Sequence, residues 1–185
     1  LPLSIGDGEL AETAACVIPL PEVFSYYLQA GRVDVGFLGA AQIDRHGNLN
    51  STVIGPYDSP ATRLPGAGGA PEIAAHAGRT FVMLKATRRS FVAKLDFRTS
   101  AGYLEGRGER AATAARGGGP RAVITDFGLL EPDPQSEELA LSALFEGATV
   151  DEARSSVGWP LAVAASVASI APPSALELDT LRALH

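Results

Sequence analysis

Cysteine, lysine and long apolar runs are all scarce in this sequence, and each scarcity removes a class of protein. Cys16 is the single cysteine in 185 residues, so no intrachain disulfide can form, and no C-x-x-C or His/Cys cluster offers zinc spacing. Such usage fits a reducing cytoplasm. Only Lys85 and Lys94 are lysines, and 15 Lys+Arg against 21 Asp+Glu leave a formal charge of −6. No basic excess is available to displace counterions from nucleic-acid phosphates. The most apolar tract, 159–172, is interrupted by Pro160 and Ser166 and closed by Pro172-Pro173. Neither a membrane span nor a signal peptide is expected from it. The stretch 102–120 is rich in Gly, Arg and Ala, but Tyr103 is its lone stacking aromatic and Glu105 and Glu109 dilute its charge. It is expected to be a surface loop, not an RNA-binding arm.

What is present describes a globular domain. The chain is 46% hydrophobic and 19% charged, and a domain of this length buries roughly 70% of the surface its unfolded form exposes. A single domain over 1–185 is expected. Its opening, Leu1-Pro2-Leu3-Ser4-Ile5-Gly6-Asp7, has no initiator methionine and reads like the middle of a longer protein.

Local patterns predict mixed α/β structure. Val23, Tyr26, Tyr27 and Ala30 share a helical face over 21–30, with Pro21 in the first turn and Gly31 as the stop. The β-branched run 32–43 predicts a central strand buried on both faces. His46-Gly47-Asn48 is turn chemistry, followed by strand character at 51–54. A glycine-rich loop then feeds a short helix from Pro71 to Gly78. Strands are expected over 80–85 and 91–97, a hairpin over 122–131, and a pairing segment at 139–144. Thr149 and Glu152 form a capping box for a helix over 150–157.

Two segments carry candidate chemistry. Gly66-Ala67-Gly68-Gly69-Ala70 runs into a helix, where glycines permit close backbone approach and amides stabilise a phosphate or a developing oxyanion. The spacing is neither G-x-G-x-x-G after a strand nor a P-loop, which disfavours nucleotide binding. In the second segment, Gln42, Asn48 and Asn50 follow an apolar strand, the place where open α/β sheets bind ligands. Turn-forming asparagines are the competing explanation. His46 and His76 lack ligand spacing, so no metal is expected. Ser51 and Ser59 lack a nucleophile elbow, and Cys16, between Ala15 and Val17, is expected in the core.

Together these segments resemble the beta (B) chain of family I CoA-transferases, of the glutaconate and 3-oxoacid types. The resemblance rests on 39–52 and on Arg63-Leu64-Pro65-Gly66-Ala67-Gly68-Gly69-Ala70. Further similarity lies in Arg88-Arg89-Ser90-Phe91, Val123-Ile124-Thr125-Asp126-Phe127-Gly128 and Gly147-Ala148-Thr149-Val150-Asp151-Glu152. It implies an α/β fold with an open, mostly parallel sheet, pairing with an alpha (A) subunit, and ping-pong transfer of CoA between carboxylic acids. In that chemistry a glutamate attacks an acyl-CoA thioester and then carries CoA itself as a glutamyl thioester. Acyl-CoA and a carboxylate are the substrates, with no permanently bound cofactor and no nucleic-acid or membrane partner. Gly66, Gly68, Gly69, Gln42, Asn48 and Asn50 are the residues expected at the CoA and oxyanion site. The family's nucleophile lies in a Ser-Glu-Asn-Gly or Glu-Ser-Gly segment, which this sequence does not contain. No catalytic residue is therefore assigned, and an amino-terminal part is expected to be missing. The alternatives are a CoA-ester ring-opening hydrolase subunit and a noncatalytic ligand-binding or scaffold subunit of the same fold.

Overall fold

A computed structural model describes residues 6–184, so the opening Leu1 to Ile5 lies outside the described residues. Two short helical turns, α1 (Glu9–Glu12) and α2 (Leu20–Glu22), precede a π-helical segment, Val23–Leu28. Helix was expected here, with a different face inward. Gln29 N donates to Phe24 O and Arg32 N to Tyr27 O, both spanning five residues. That wider pitch turns Leu28 into the core and leaves Tyr26 and Tyr27 exposed. Cys16 is also exposed, not in the core as expected, because it lies in the irregular stretch between α1 and α2.

The sheet begins with β1 (Val35–Leu38). Four two-residue strands follow: β2 (Gln42–Ile43), β3 (Leu49–Asn50), β4 (Val53–Ile54) and β5 (Thr62–Arg63). After them come α3 (Ala70–His76), β6 (Arg79–Met83), β7 (Pro120–Ile124), β8 (Gly128–Pro132) and β9 (Leu139–Phe145). The chain closes with α4 (Val150–Ser156), β10 (Ala162–Ile170) and α5 (Ala175–Ala183). The main sheet has the order β1-β6-β7-β8-β9-β10. Only β8 runs against the others, so the sheet is mostly parallel. The run 32–43 is therefore not one central strand. It is divided after Leu38, and β1 lies at the sheet edge with Phe37 65% exposed. The expected strand over 91–97 reduces to a single bridge between Phe91 and Ile43.

Strand order dictates where the core lies. Parallel crossovers are right-handed, and three crossovers advancing in one direction across a sheet fall on one face. Ala74 of α3, Phe91 and Ala153 of α4 accordingly share one buried cluster with Val82, Val123, Leu130 and Leu141. Gly36 of β1 admits α3, because a Cβ there would collide with Ile73. On the opposite face Phe37 stacks on Phe81 with ring centroids 5.8 Å apart, and Met83 is 56% exposed. The capping box forms at α4 as the sequence predicts, with Glu152 N donating to Thr149 Oγ1 and Thr149 N donating to Glu152 Oε2.

Two polar groups, one buried and one half-buried, fix the connections. The loop 102–120 is irregular as expected, yet Arg110 within it is only 5% exposed. Its guanidinium donates to the carbonyls of Gly117, Ala101, Gly102, Ala74 and Ala75. Ala74 and Ala75 lie in the last turn of α3, where carbonyls lack intrahelical partners. Burial pulls the Arg110 pKa below the ordinary arginine value, partly offset by Tyr103 and Glu137. The second group is Asp44, whose Oδ1 accepts from His46 N and Asn48 N and whose Oδ2 accepts from Asn48 Nδ2. Burial raises its pKa despite those three donors.

Replacing Arg110 with Met removes five donations and strands four carbonyls, Ala75 O keeping Gly117 N as a donor, and is expected to lower stability by about 3–5 kcal/mol. Arg110→Lys recovers only part, lacking the planar fork. Urea unfolding measures both, and an unmoved midpoint for Arg110→Met rules out the clamp. For Asp44 the raised value means that the folded state holds the proton more tightly than the unfolded chain does. Its contribution is therefore full below the ordinary carboxylate value and declines as pH rises through the raised one. The stability difference between the native protein and Asp44→Asn should shrink from acidic toward neutral pH. A difference that grows or stays level contradicts this reading.

Candidate functional site

The site is built from the excursion between β1 and α3. Asn50 is fully buried: its Nδ2 donates to Gln42 Oε1 and to Val53 O, and its Oδ1 accepts from Thr52 N and Val53 N. Asn48 is equally buried, donating to Asp44 and Leu104 O while accepting from Gly102 N and Leu104 N. Both side chains have their donors and acceptors used inside the protein, so they frame the neighbouring loops from within. Gln42 differs. Its Nε2 makes one bond, to Asp96 Oδ2, and it faces a cavity shared with Arg89.

The glycine-rich run lies beside this framework. Gly66 N donates to Ser51 O, and Ser51 Oγ donates to Gly66 O, which ties the loop to the residue after Asn50. Gly66 and Gly68 have φ of 108° and 50°, left-handed values that favour glycine. Gly69 lies against Phe24, whose ring atoms leave a Cβ at this position only about 3.0 Å. That contact gives the π-helical segment a place in the site that sequence periodicity did not reveal. The N–H groups of Gly68 and Gly69 donate no hydrogen bond within the described residues. They remain open to an external acceptor.

Topology places this loop at one edge of the sheet. Chain leaving the carboxyl end of β1 passes through the short hairpins and the glycine loop, descends through α3 and enters β6. Glycine loop and cavity thus share the carboxyl edge of β1 and β6, where open α/β sheets bind ligands. His46 and His76 are not together: His46 Nδ1 lies 3.4 Å from Glu137 O, and His76 Nε2 lies 3.4 Å from Glu72 in α3. Among the described residues there is no cluster of His, Cys, Asp or Glu able to hold a metal, and no helix long and apolar enough to cross a membrane.

Comparison with known proteins agrees with this geometry. The family model described as Coenzyme A transferase matches residues 11–155. The beta (B) chain of 3-oxoadipate CoA-transferase from Pseudomonas knackmussii is 52% identical over 185 residues, covering 100% of this chain and 71% of that protein. The corresponding chain of glutaconate CoA-transferase from Acidaminococcus fermentans is 35% identical, covering 96% of this chain and 69% of its own length. The crystal structure of the Acidaminococcus glutaconate enzyme superposes with a TM-score of 0.88 at 31% identity, over 98% of this chain and 71% of that one. The relatives are thus longer than the present sequence. With a glycine loop and a cavity at the carboxyl edge of a mostly parallel sheet, and with similarity along its whole length, the chain belongs to the coenzyme A transferase family.

Proposed function

We propose that the chain acts as a beta-type subunit that, with an alpha (A) subunit, moves CoA between an acyl-CoA and a carboxylic acid through a glutamyl-CoA thioester. The carrying observation is the pair of unpartnered amides at Gly68 and Gly69, held at the sheet's carboxyl edge. Attack of a glutamate carboxylate on the thioester carbon places negative charge on the carbonyl oxygen as the carbon becomes tetrahedral. Collapse expels the CoA thiolate and leaves an anhydride, which the thiolate reopens at the glutamyl carbonyl, releasing the free acid. Both additions generate an oxyanion, so one pair of preorganised N–H donors serves each half-reaction. Gly66 shapes the approach to these donors. Gln42, Asn48 and Asn50 keep it in register. No residue of this sequence is assigned as the nucleophile.

Helix α3 has seven residues, so its dipole adds little, and the amides themselves carry the stabilisation. The similar enzymes are named for 3-oxoadipate and glutaconate, both dicarboxylic acids. A monothioester of a dicarboxylic acid is therefore the proposed substrate class for this chain.

The decisive experiment combines the full-length protein with its alpha subunit and follows CoA passing from an acyl-CoA to a labelled acid. Parallel double-reciprocal plots are expected. Release of free CoA without transfer overturns the proposal in favour of hydrolysis. Gly68→Ala meets open space but a left-handed φ, so it should cost about 1–2 kcal/mol in stability. By misaiming the amide it should also lower kcat by roughly 10²-fold or more with little change in KM. An unchanged kcat removes Gly68 from the oxyanion site.

A further inference from the structure

Charge distinguishes the cavities of this protein. The cavity of about 720 Å³ around Asp44, Asp96, Arg98, Glu105 and Glu138 is balanced. There Arg98 pairs with Glu105 at 2.5 Å and Arg45 with Glu138 at 3.7 Å. The cavity at the same sheet edge as the glycine loop, about 530 Å³, has Arg89 in its wall and no carboxylate. Arg89 makes no hydrogen bond or ion pair within the described residues. Its neighbour Arg88 is tied down instead, its Nε donating to Ser155 O at 2.9 Å. The remaining wall is mixed: Ala41, Ile54 and Val92 are apolar, while Gln42, Thr62, Thr87 and Ser90 are polar. Gln42 Nε2 carries two N–H bonds and donates one of them, to Asp96, which leaves the second without a protein acceptor among the described residues.

Resting on the transferase reading above, we infer that Arg89 and the second Gln42 N–H hold the free carboxylate of a dicarboxylic substrate while its other end reacts at the glycine loop. Arg89 is exposed, makes no ion pair among the described residues and has no acid in the cavity wall beside it, so its planar fork is available to a carboxylate. Methylenes between the two ends lie along Ala41, Ile54 and Val92. The cavity and the loop are mechanically joined: Gln42 Oε1 accepts from Asn50, and Ser51, the next residue, bonds Gly66 in both directions. Separation of the two ends is therefore fixed by the fold. The same cation chemistry would suit a CoA phosphate, and the test separates the two sources.

The test uses the full-length chain in complex with its alpha subunit, with adipate and hexanoate as acceptors from one acyl-CoA donor. These acids have the same length and differ in the second carboxylate. The native complex should favour adipate, and Arg89→Gln should lower the adipate-to-hexanoate ratio of kcat/KM by about tenfold or more. The loss should lie in KM for adipate, and Arg89→Lys should keep the charge but restore only part of the preference, lacking the planar fork. Arg89 makes no hydrogen bond or ion pair among the described residues, so both variants should unfold at the native urea midpoint. An unchanged ratio, or an equal fall in Arg88→Gln, overturns the assignment of Arg89 alone. So does a raised KM for the acyl-CoA that is identical with both acceptors, which assigns the cation to a CoA phosphate. A native complex that transfers CoA to neither acid overturns the transferase reading, and this inference with it.

Discussion

Buried side-chain amides take the place of a β-ladder between residues 39 and 66. The strands in this excursion are two residues long, and isolated hairpins of that size do not hold themselves in water. Gln42, Asn48 and Asn50 supply the missing cohesion by bonding backbone groups from several segments at once. Each buried amide is stabilising only because its donors and acceptors are met, since an unmet one would oppose folding. Everything nearer the chemistry inherits its position from them. The glycine loop hangs from Ser51, and the Arg89 cavity is walled by Gln42.

Arg110 secures the other end of the same unit. It holds the last turn of α3 against 101–102 and against Gly117. Residues 101–102 also meet Asn48, whose Oδ1 accepts from Gly102 N. The amide framework and the cation clamp are thereby one network, with α3 between them. At its start α3 presents the glycine loop, and at its end it is fixed by a buried charge. The loop can be open to solvent at Gly68 and still be positioned, because both of its flanks are anchored.

Much of the architecture is legible locally. Thr149 and Glu152 announce α4 because a capping box is a four-residue device, and β6, β7, β8 and β9 follow from short apolar runs between turn residues. The glycine-rich run is visible for the same reason. Errors arise where distant residues decide. Tyr26 and Tyr27 look buried at a pitch of 3.6, but hydrogen bonds spanning five residues turn them outward. Phe91 begins an apparent strand, but stacking on Trp159 at 5.9 Å draws it into the core as a single bridge. Position after an apolar strand groups Gln42, Asn48 and Asn50 together, and only the fold separates the cavity-facing Gln42 from the two asparagines enclosed behind it. Arg89 lies in a segment that carries the resemblance, but nothing in the sequence marks it as a cavity residue, since that cavity is assembled from residues up to about fifty positions apart.

The clamp at Arg110 has a consequence for how this loop can change over time. All its acceptors are backbone carbonyls, and a carbonyl is present whatever side chain the residue carries. An acidic partner would have tied the arginine to a second position, and the two would have had to vary as a pair. Here the clamp itself depends on one codon. Loss of the arginine leaves no second site whose substitution restores five donors in that geometry.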